Sequence, residues 1–402
     1  MATLSLCMIV RNEAKNLPRS LAPIASLFDE SIVVDTGSTD GTVDLARGYG
    51  AKVFEICWKK DFAQARNYSI DRASGDWIFW LDADNRIEID DVRKIRRLIE
   101  GEKNRIFWCT EVVEPHGDTL IQKRIFPNHP DFRFQGEIHE QLVHPSEGIR
   151  FVMTDIQIYH WGYADRGILR QKGLRNLEIL REVLQKNPED FFAHFNIARC
   201  YMNLREFDRA LSHLRKVLNN PQTRRENPDV YGYSSIMAQS VLEKMGCFEE
   251  GRQILEAFLE ENPFFGLGWF YLGKSLCRVG RFSEGIVCFK NFHRLGITIH
   301  SLDLPRQKIS FESYYWLARA YESLSEKALA REAYLKALTF EPQNHFVYLR
   351  LAALSKALGQ REEERVFLKK GLDLRTAEIE KGEALPGSER AEKEGLQPAM
   401  SL

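Results

Sequence analysis

Asp76-Trp77-Ile78-Phe79-Trp80-Leu81-Asp82-Ala83-Asp84-Asn85 is the stretch on which the reading of this chain turns. Trp77 to Leu81 is an unbroken apolar run, too short for a buried helix and rich in strand formers, so it reads as a strand buried on both faces. It stops abruptly in two carboxylates one residue apart, with no lysine or arginine between them. Ligands of an open α/β sheet bind outside the carboxyl ends of its strands, which puts Asp82 and Asp84 where a ligand would sit. Two hard oxygen ligands on a rigid strand end suit Mn²⁺ or Mg²⁺ shared with substrate phosphates. The competing reading makes them caps of the next helix, near Ile89–Glu100. Asp90 and Asp91 already stand at that helix start, which leaves Asp82 and Asp84 without a structural task.

Working outward, Leu4–Val10, Ser31–Asp35 and Ala51–Ile56 read as strands that precede this one. Between them lie helices over Leu17–Phe28, after the turn Thr36-Gly37-Ser38-Thr39-Asp40-Gly41, and over Phe62–Ala73. Strands alternating with short helices predict βαβ units and a mostly parallel, Rossmann-like sheet. Beyond the carboxylates the pattern predicts strands over Ile106–Val113 and Thr119–Phe126. A polar stretch then carries Gly136-Glu137-Ile138-His139-Glu140, and a last strand, Ile156–His160, closes the unit.

From about Gly167 strand signals vanish and a helix-turn-helix repeat begins. Arg205, Gly246, Gly280, Ser325 and Gly359 align as turn residues. Two of the spacings, Gly246 to Gly280 and Ser325 to Gly359, equal the 34-residue tetratricopeptide period. Five such pairs predict one solenoid, interrupted by an insertion at Thr298–Glu312. The expected organisation is an α/β domain over 1–165, an all-α tetratricopeptide solenoid over 166–375, and a charged, disordered tail over 376–402.

The formal net charge of −1 argues against nucleic acid as a partner. The seven cysteines are scattered and form no CxxC pair, so neither a disulfide framework nor a zinc site is indicated. No apolar run is long enough for an integral membrane segment, and a cytoplasmic protein is expected. Gly268-Trp269-Phe270-Tyr271-Leu272-Gly273-Lys274-Ser275 spells the P-loop pattern letter for letter. A phosphate-cradling loop needs small residues between its glycines and a strand before it. Here stand Trp, Phe, Tyr and Leu, at the packing positions of a repeat helix, so the match is rejected.

The first four strands end in polar groups: Arg11, Asn12 and Glu13; Asp35; Lys59, Lys60 and Asp61; Asp82 and Asp84. In a parallel sheet these converge on one crevice, and Arg66 and Asn67, on the helix after Asp61, are placed to join them. Carboxylates suit ribose hydroxyls and base N–H groups, whereas arginine and lysine suit phosphate. For Asp35 a turn-forming role before Thr36-Gly37 is an equal alternative.

The chain resembles family 2 glycosyltransferases of the GT-A type, and among them those fused to tetratricopeptide repeats. The resemblance rests on Met8-Ile9-Val10-Arg11-Asn12-Glu13, Val34-Asp35-Thr36-Gly37-Ser38-Thr39-Asp40-Gly41-Thr42, Asp61-Phe62-Ala63-Gln64-Ala65-Arg66-Asn67, Leu81-Asp82-Ala83-Asp84-Asn85, Gly136-Glu137-Ile138-His139-Glu140 and Tyr159-His160-Trp161-Gly162-Tyr163. It runs in order from residue 4 to about 165. The S-glycosyltransferases of bacteriocin peptides share this layout. The resemblance implies a nucleotide-sugar donor, with UDP the expected nucleotide, a divalent Mn²⁺ or Mg²⁺, and transfer with inversion. By position, Arg11, Asn12, Glu13, Asp35, Arg66 and Asp82 would bind the donor. Asp82, Asp84 and His160 would hold the metal, and imidazole suits Mn²⁺ better than Mg²⁺. A satisfied core histidine is the alternative for His160. Asp35-Thr36 stands where many members carry two aspartates, Asn85 stands where many are acidic, and the usual Glu-Asp catalytic pair is missing. The general base is therefore sought in Glu140 or Glu137.

A solenoid offers a concave surface for a peptide or protein acceptor, although the repeats could instead form a homodimer. A glycan or lipid-linked acceptor, or an adaptor with an inactive head, are the other readings. A nucleotidyltransferase would need a Gly-rich basic loop after the first strand, and Arg11-Asn12-Glu13 is not one.

Overall fold

The computed structural model describes residues 2–101, 103–114, 118–161, 166–297 and 304–380. The chain divides into two compact units, Met1–Asn220 and Pro221–Leu402.

In the first unit β1 (Leu4–Val10), β2 (Glu30–Asp35), β3 (Lys52–Glu55) and β4 (Trp77–Trp80) alternate with α1 (Leu17–Ser20), α2 (Thr42–Gly48) and α3 (Phe62–Asp71). Then come β5 (Asn85–Ile87), α4 (Ile89–Leu98), β6 (Arg105–Val113), β7 (Asp118–Pro127), β8 (Arg133–Gln135), β9 (Gln141–Val143) and β10 (Arg150–His160). One eight-stranded sheet runs in the order β3-β2-β1-β4-β7-β6-β10-β5. The first four strands are parallel, as are β6 and β10, while β7 and β5 run antiparallel to their neighbours. The sheet is thus the mostly parallel α/β sheet expected. β4 alternates its residues between two cores. Trp77 and Phe79 pack with Leu4, Leu6 and Met8 on one face, and Ile78 packs with Cys7, Ile32 and Phe126 on the other. Burial on both faces makes its register rigid, so the loop that follows it is held in a fixed place.

The expected helix over Leu17–Phe28 is cut short: α1 ends at Ser20 and a single 3₁₀ turn follows at Ala25–Leu27. Pro23 explains the break, since its ring removes a donor and crowds the preceding turn. β5 was not foreseen. It is three residues long and forms an edge on β10, pairing Asn85 with His160.

Helices take over at α5 (Arg166–Lys186), and α6 (Phe191–Asn203) and α7 (Phe207–Asn219) complete the first unit. The second unit holds α8 (Pro221–Glu226), α9 (Pro228–Lys244), α10 (Phe248–Glu261), α11 (Gly266–Arg278), α12 (Phe282–Leu295), α13 (Arg306–Ser323), α14 (Lys327–Leu338), α15 (His345–Ala357) and α16 (Arg361–Glu380). All five residues expected at repeat turns adopt left-handed backbone: Arg205 at φ 61°, Gly246 at 83°, Gly280 at 81°, Ser325 at 63° and Gly359 at 76°. Each stands just past the end of the first helix of a pair, where a left-handed residue closes the helix. Gly268–Ser275 lies inside α11, so the P-loop spelling is helical. Of the expected insertion, 298–303 lie outside the described residues, and 306–312 are the first turns of α13. Of the expected tail, 376–380 continue α16 and 381–402 lie outside the described residues. Gly162 and Tyr163 also lie outside them. No helix among the described residues is long and apolar enough to cross a membrane.

Candidate functional site

At the carboxyl edge of the sheet the loops after β1 and β2 are laced together. Asn12 turns through φ 56°, donates its N–H to Ser38 Oγ at 2.8 Å, and accepts from Thr39 N at 2.8 Å through Oδ1. Glu13 N donates to Thr42 Oγ1 at 2.8 Å. Asp35 is buried and caps its own turn, accepting from the Gly37 and Ser38 amides at 2.9 Å each and from the Ser38 hydroxyl. Asp40 likewise accepts from the Thr42 amide and hydroxyl. This lacing fixes the edge beside the β4 carboxylates, and it engages both Asp35 oxygens. Arg11 is exposed beside it.

Asp82 sits between two buried arginines. Arg66 on α3 donates to Asp82 Oδ1 at 2.8 Å and to Glu140 Oε1. Arg124 on β7, 1% exposed, lies 3.5 Å from Asp82 Oδ2 and pairs with buried Glu111 on β6. Both guanidiniums lie over the Trp80 ring, at 4.2 and 3.8 Å from its centroid. Burial raises the Asp82 carboxyl, but Arg66 and Arg124 more than offset it and hold it down at about 2. Asp82 therefore stays ionised and locked. Arg124 and Glu111 escaped the sequence reading because nothing marks which side chains of β6 and β7 face the site.

Asp84 is less encumbered. Its Oδ1 lies 3.5 Å from His160 Nδ1, and its Oδ2 accepts from Lys172 Nζ on α5 at 3.1 Å. Fully buried Asn85 links the two ends of the motif: its Oδ1 accepts from Asp82 N at 3.2 Å, which leaves Nδ2 to donate to His160 Nδ1 at 3.2 Å. Asn85 donating to Nδ1 engages the one lone pair of that nitrogen, so a cation shared by His160 and Asp84 would have to take the place of this hydrogen bond. No group of three or more His, Cys, Asp or Glu side chains that could hold a metal occurs among the described residues. A cation here would draw its other ligands from a phosphate and water, as Mg²⁺ commonly does. Glu13, half-buried, is raised above the usual carboxylate range, chiefly by burial. Asn16 opposes this, and Asp84 adds to it.

The structure thus brings together Glu13, Arg66, Asp82, Asp84, Glu140 and His160. Other expected participants are used elsewhere. Asn67 pairs both its amide groups with the Phe134 backbone and so holds β8 like a neighbouring strand. Asp61 caps α3 through Gln64 N at 2.8 Å. Lys60 donates to Glu178 and Glu182 on α5. Glu137 accepts from Lys186 at 3.2 Å. His139, with φ 54°, is driven down to about 3 by burial and the nearby Arg199 and Arg175, so it is neutral. Lys172 is a further residue the sequence did not flag, because it lies 88 positions from Asp84 in a stretch that reads as repeat helix.

Residues 5–161 match the family described as glycosyl transferase family 2, and 192–223 and 311–344 match tetratricopeptide repeat families. The chain therefore carries a family 2 glycosyltransferase domain followed by tetratricopeptide repeats. It is 38% identical over 205 residues to a TPR repeat-containing protein of Synechococcus elongatus, covering 48% of this chain and 50% of that one. It is 30% identical over 232 residues to the SPbeta prophage-derived glycosyltransferase SunS of Bacillus subtilis, covering 54% of each. The matches span about half the length of these relatives. A solved structure of MamA protein is 19% identical, covering 49% of this chain and 98% of its own with a TM-score of 0.39.

Proposed function

We propose that this protein is an inverting glycosyltransferase that moves a sugar from a nucleoside-diphosphate sugar, expected to be a UDP-sugar, onto a side chain of a polypeptide acceptor. The observation that supports it most is Asp84 at the end of β4, facing His160 across 3.5 Å in a family 2 domain. Glu13 would lie on the nucleoside side of the edge, where its carboxylate can accept from ribose hydroxyls and base N–H groups. Arg66 fixes Asp82 and Glu140 together, so the donor-binding and acceptor-facing carboxylates share one rigid support. Asp84 and His160 would hold a divalent cation, which supplies Lewis-acid stabilisation of the leaving diphosphate.

Glu140 is the proposed general base, taking the acceptor proton as the acceptor attacks the face opposite the leaving group. The Arg66 guanidinium it accepts from orients its carboxylate. Glu137, engaged by Lys186, is the alternative. The repeats would supply affinity for the acceptor peptide, since stacked helix pairs present extended surface. Incubating the protein with Mn²⁺ and a panel of nucleotide-sugars should yield free sugar and nucleoside diphosphate from one donor, read by mass spectrometry. If every donor is returned intact and none binds, the proposal is wrong.

A further inference from the structure

Lys172 reaches the carboxylate edge from outside the sheet. It stands on α5, the helix that follows the family 2 domain, and its side chain is 34% exposed while donating to Asp84. α5 is tied down over the turns that follow Lys172. Lys60 bonds Glu178 and Glu182 at 2.5 and 2.6 Å, Lys186 bonds Glu137, and the Arg175 guanidinium lies 5.1 Å from the Phe62 ring centroid. The Lys172 ammonium is therefore delivered to Asp84 by a fixed helix on a flexible four-carbon stem.

The cations around the two carboxylates differ in kind. Arg66 and Arg124 are buried, stacked on Trp80 and committed to Glu140 and Glu111 as well as Asp82, so neither can leave. Lys172 is partly exposed on a flexible stem, with Glu13 as well as Asp84 in its electrostatic reach. An ammonium and a divalent cation cannot both occupy Asp84 Oδ2, and once displaced the ammonium lies next to wherever a diphosphate bound to that cation must sit.

Resting on the reading of this edge as a nucleotide-sugar donor site, we propose that Lys172 is a diphosphate-binding residue. Its ammonium neutralises Asp84 in the donor-free protein and passes to the diphosphate when a divalent cation takes the carboxylate. Two consequences follow from the exchange. Metal alone must compete with a built-in cation and binds weakly. A nucleoside diphosphate offers Lys172 a second partner, so metal and nucleotide each tighten the other.

The test titrates Mn²⁺ alone, UDP or GDP with Mn²⁺, and uridine or guanosine against wild type, Lys172→Met and Lys172→Arg, by calorimetry and by the Mn²⁺ paramagnetic resonance signal. In Lys172→Met, Mn²⁺ alone should bind several-fold tighter, and nucleoside diphosphate at saturating Mn²⁺ about tenfold weaker, as loss of a charge-assisted hydrogen bond implies. Nucleoside binding should not move. Lys172→Arg, which keeps the charge, should retain most of the diphosphate affinity. A lysine that merely supports Asp84 would give the opposite sign for Mn²⁺, and weaker Mn²⁺ binding in Lys172→Met overturns the proposal. So does unchanged diphosphate affinity. If wild type binds neither UDP nor GDP, the donor-site reading itself fails, and this proposal falls with it.

Discussion

In the first unit the groups buried at the sheet's carboxyl edge are Asp35, Arg66, Glu111, Arg124 and His160. In the second unit the core is Phe258, Phe270, Phe289, Leu255, Leu267, Tyr334 and a set of alanines, with serines, Thr223, His345 and the Gln239–Glu243 pair as its buried polar groups. Folding alone accounts for the second pattern, because stacked helix pairs gain by burying apolar faces against one another. It does not account for the first. Ion pairs taken out of water roughly break even against apolar residues of the same volume. A sheet that buries Arg124 between Glu111, Trp80 and Asp82 gains fixed charge at one place, and that place is where a ligand would enter. The amino-terminal edge of the same sheet makes the point from the other side. There Glu30 is tied to Ser5, Ser74 and Lys52, with no cleft residue among its partners, and its work is structural.

This contrast can be broken most sharply at Asp84. Asp84→Ala should lower sugar transfer by at least about 10³-fold and remove metal-dependent donor binding, because it deletes the carboxylate proposed to carry the cation. Its melting temperature should stay near that of wild type, since Asp84 lies past the strand end and outside the core. Retained turnover would refute the assignment. Glu140→Gln tests the acceptor side: a lost general base costs about 10²- to 10⁴-fold in transfer, with donor affinity held within a few-fold. Weakened donor binding instead would make Glu140 a support for Arg66, and near-normal transfer would move the base to Glu137.

Glu30 sharpens the contrast through pH. Burial raises its carboxyl, but hydrogen bonds from Lys52, Ser5 and Ser74 more than offset this and hold it at about 2, below its ordinary 4.5. A depressed folded value gives stability that is full above about pH 4.5 and lost as pH falls towards 2. Glu30→Gln should therefore be less stable by about 2 kcal/mol at neutral pH, with the difference shrinking below about pH 4.5 and closing near pH 2 in denaturant titrations. Donor affinity of the folded variant should match wild type. The smallest effect belongs to Lys274, which pairs with Glu312 on the neighbouring repeat helix. Lys274→Ala should leave nucleotide binding unchanged, and any loss would revive the P-loop spelling.

The strands, the two aspartates and the repeat turns were legible because each rests on local pattern: an apolar run, a strand end, a left-handed position every helix pair. What escaped depends on distant parts of the chain. Arg124 reads as a charge inside a strand until β7 is inserted antiparallel between β4 and β6. Lys172 reads as repeat surface until α5 packs back on Lys60 and Phe62. Asn67 reads as a site residue because of its neighbour Arg66, although the following side chain on a helix points elsewhere, here to the β8 backbone. Pro23 could have been weighed against the helix over Leu17–Phe28, and the periodic apolar residues around it masked the break.

The division of labour between the two units is tested most directly by ending the chain at Asn220, where the first compact unit ends. Full-length protein and the Met1–Asn220 fragment would be given Mn²⁺, the active nucleotide-sugar and a peptide library, and products followed by mass spectrometry. The account predicts that the fragment still releases nucleoside diphosphate from the donor while sugar-bearing peptides fall to background. A folded fragment that glycosylates the library as well as the full chain, or one that leaves the donor untouched, would contradict it.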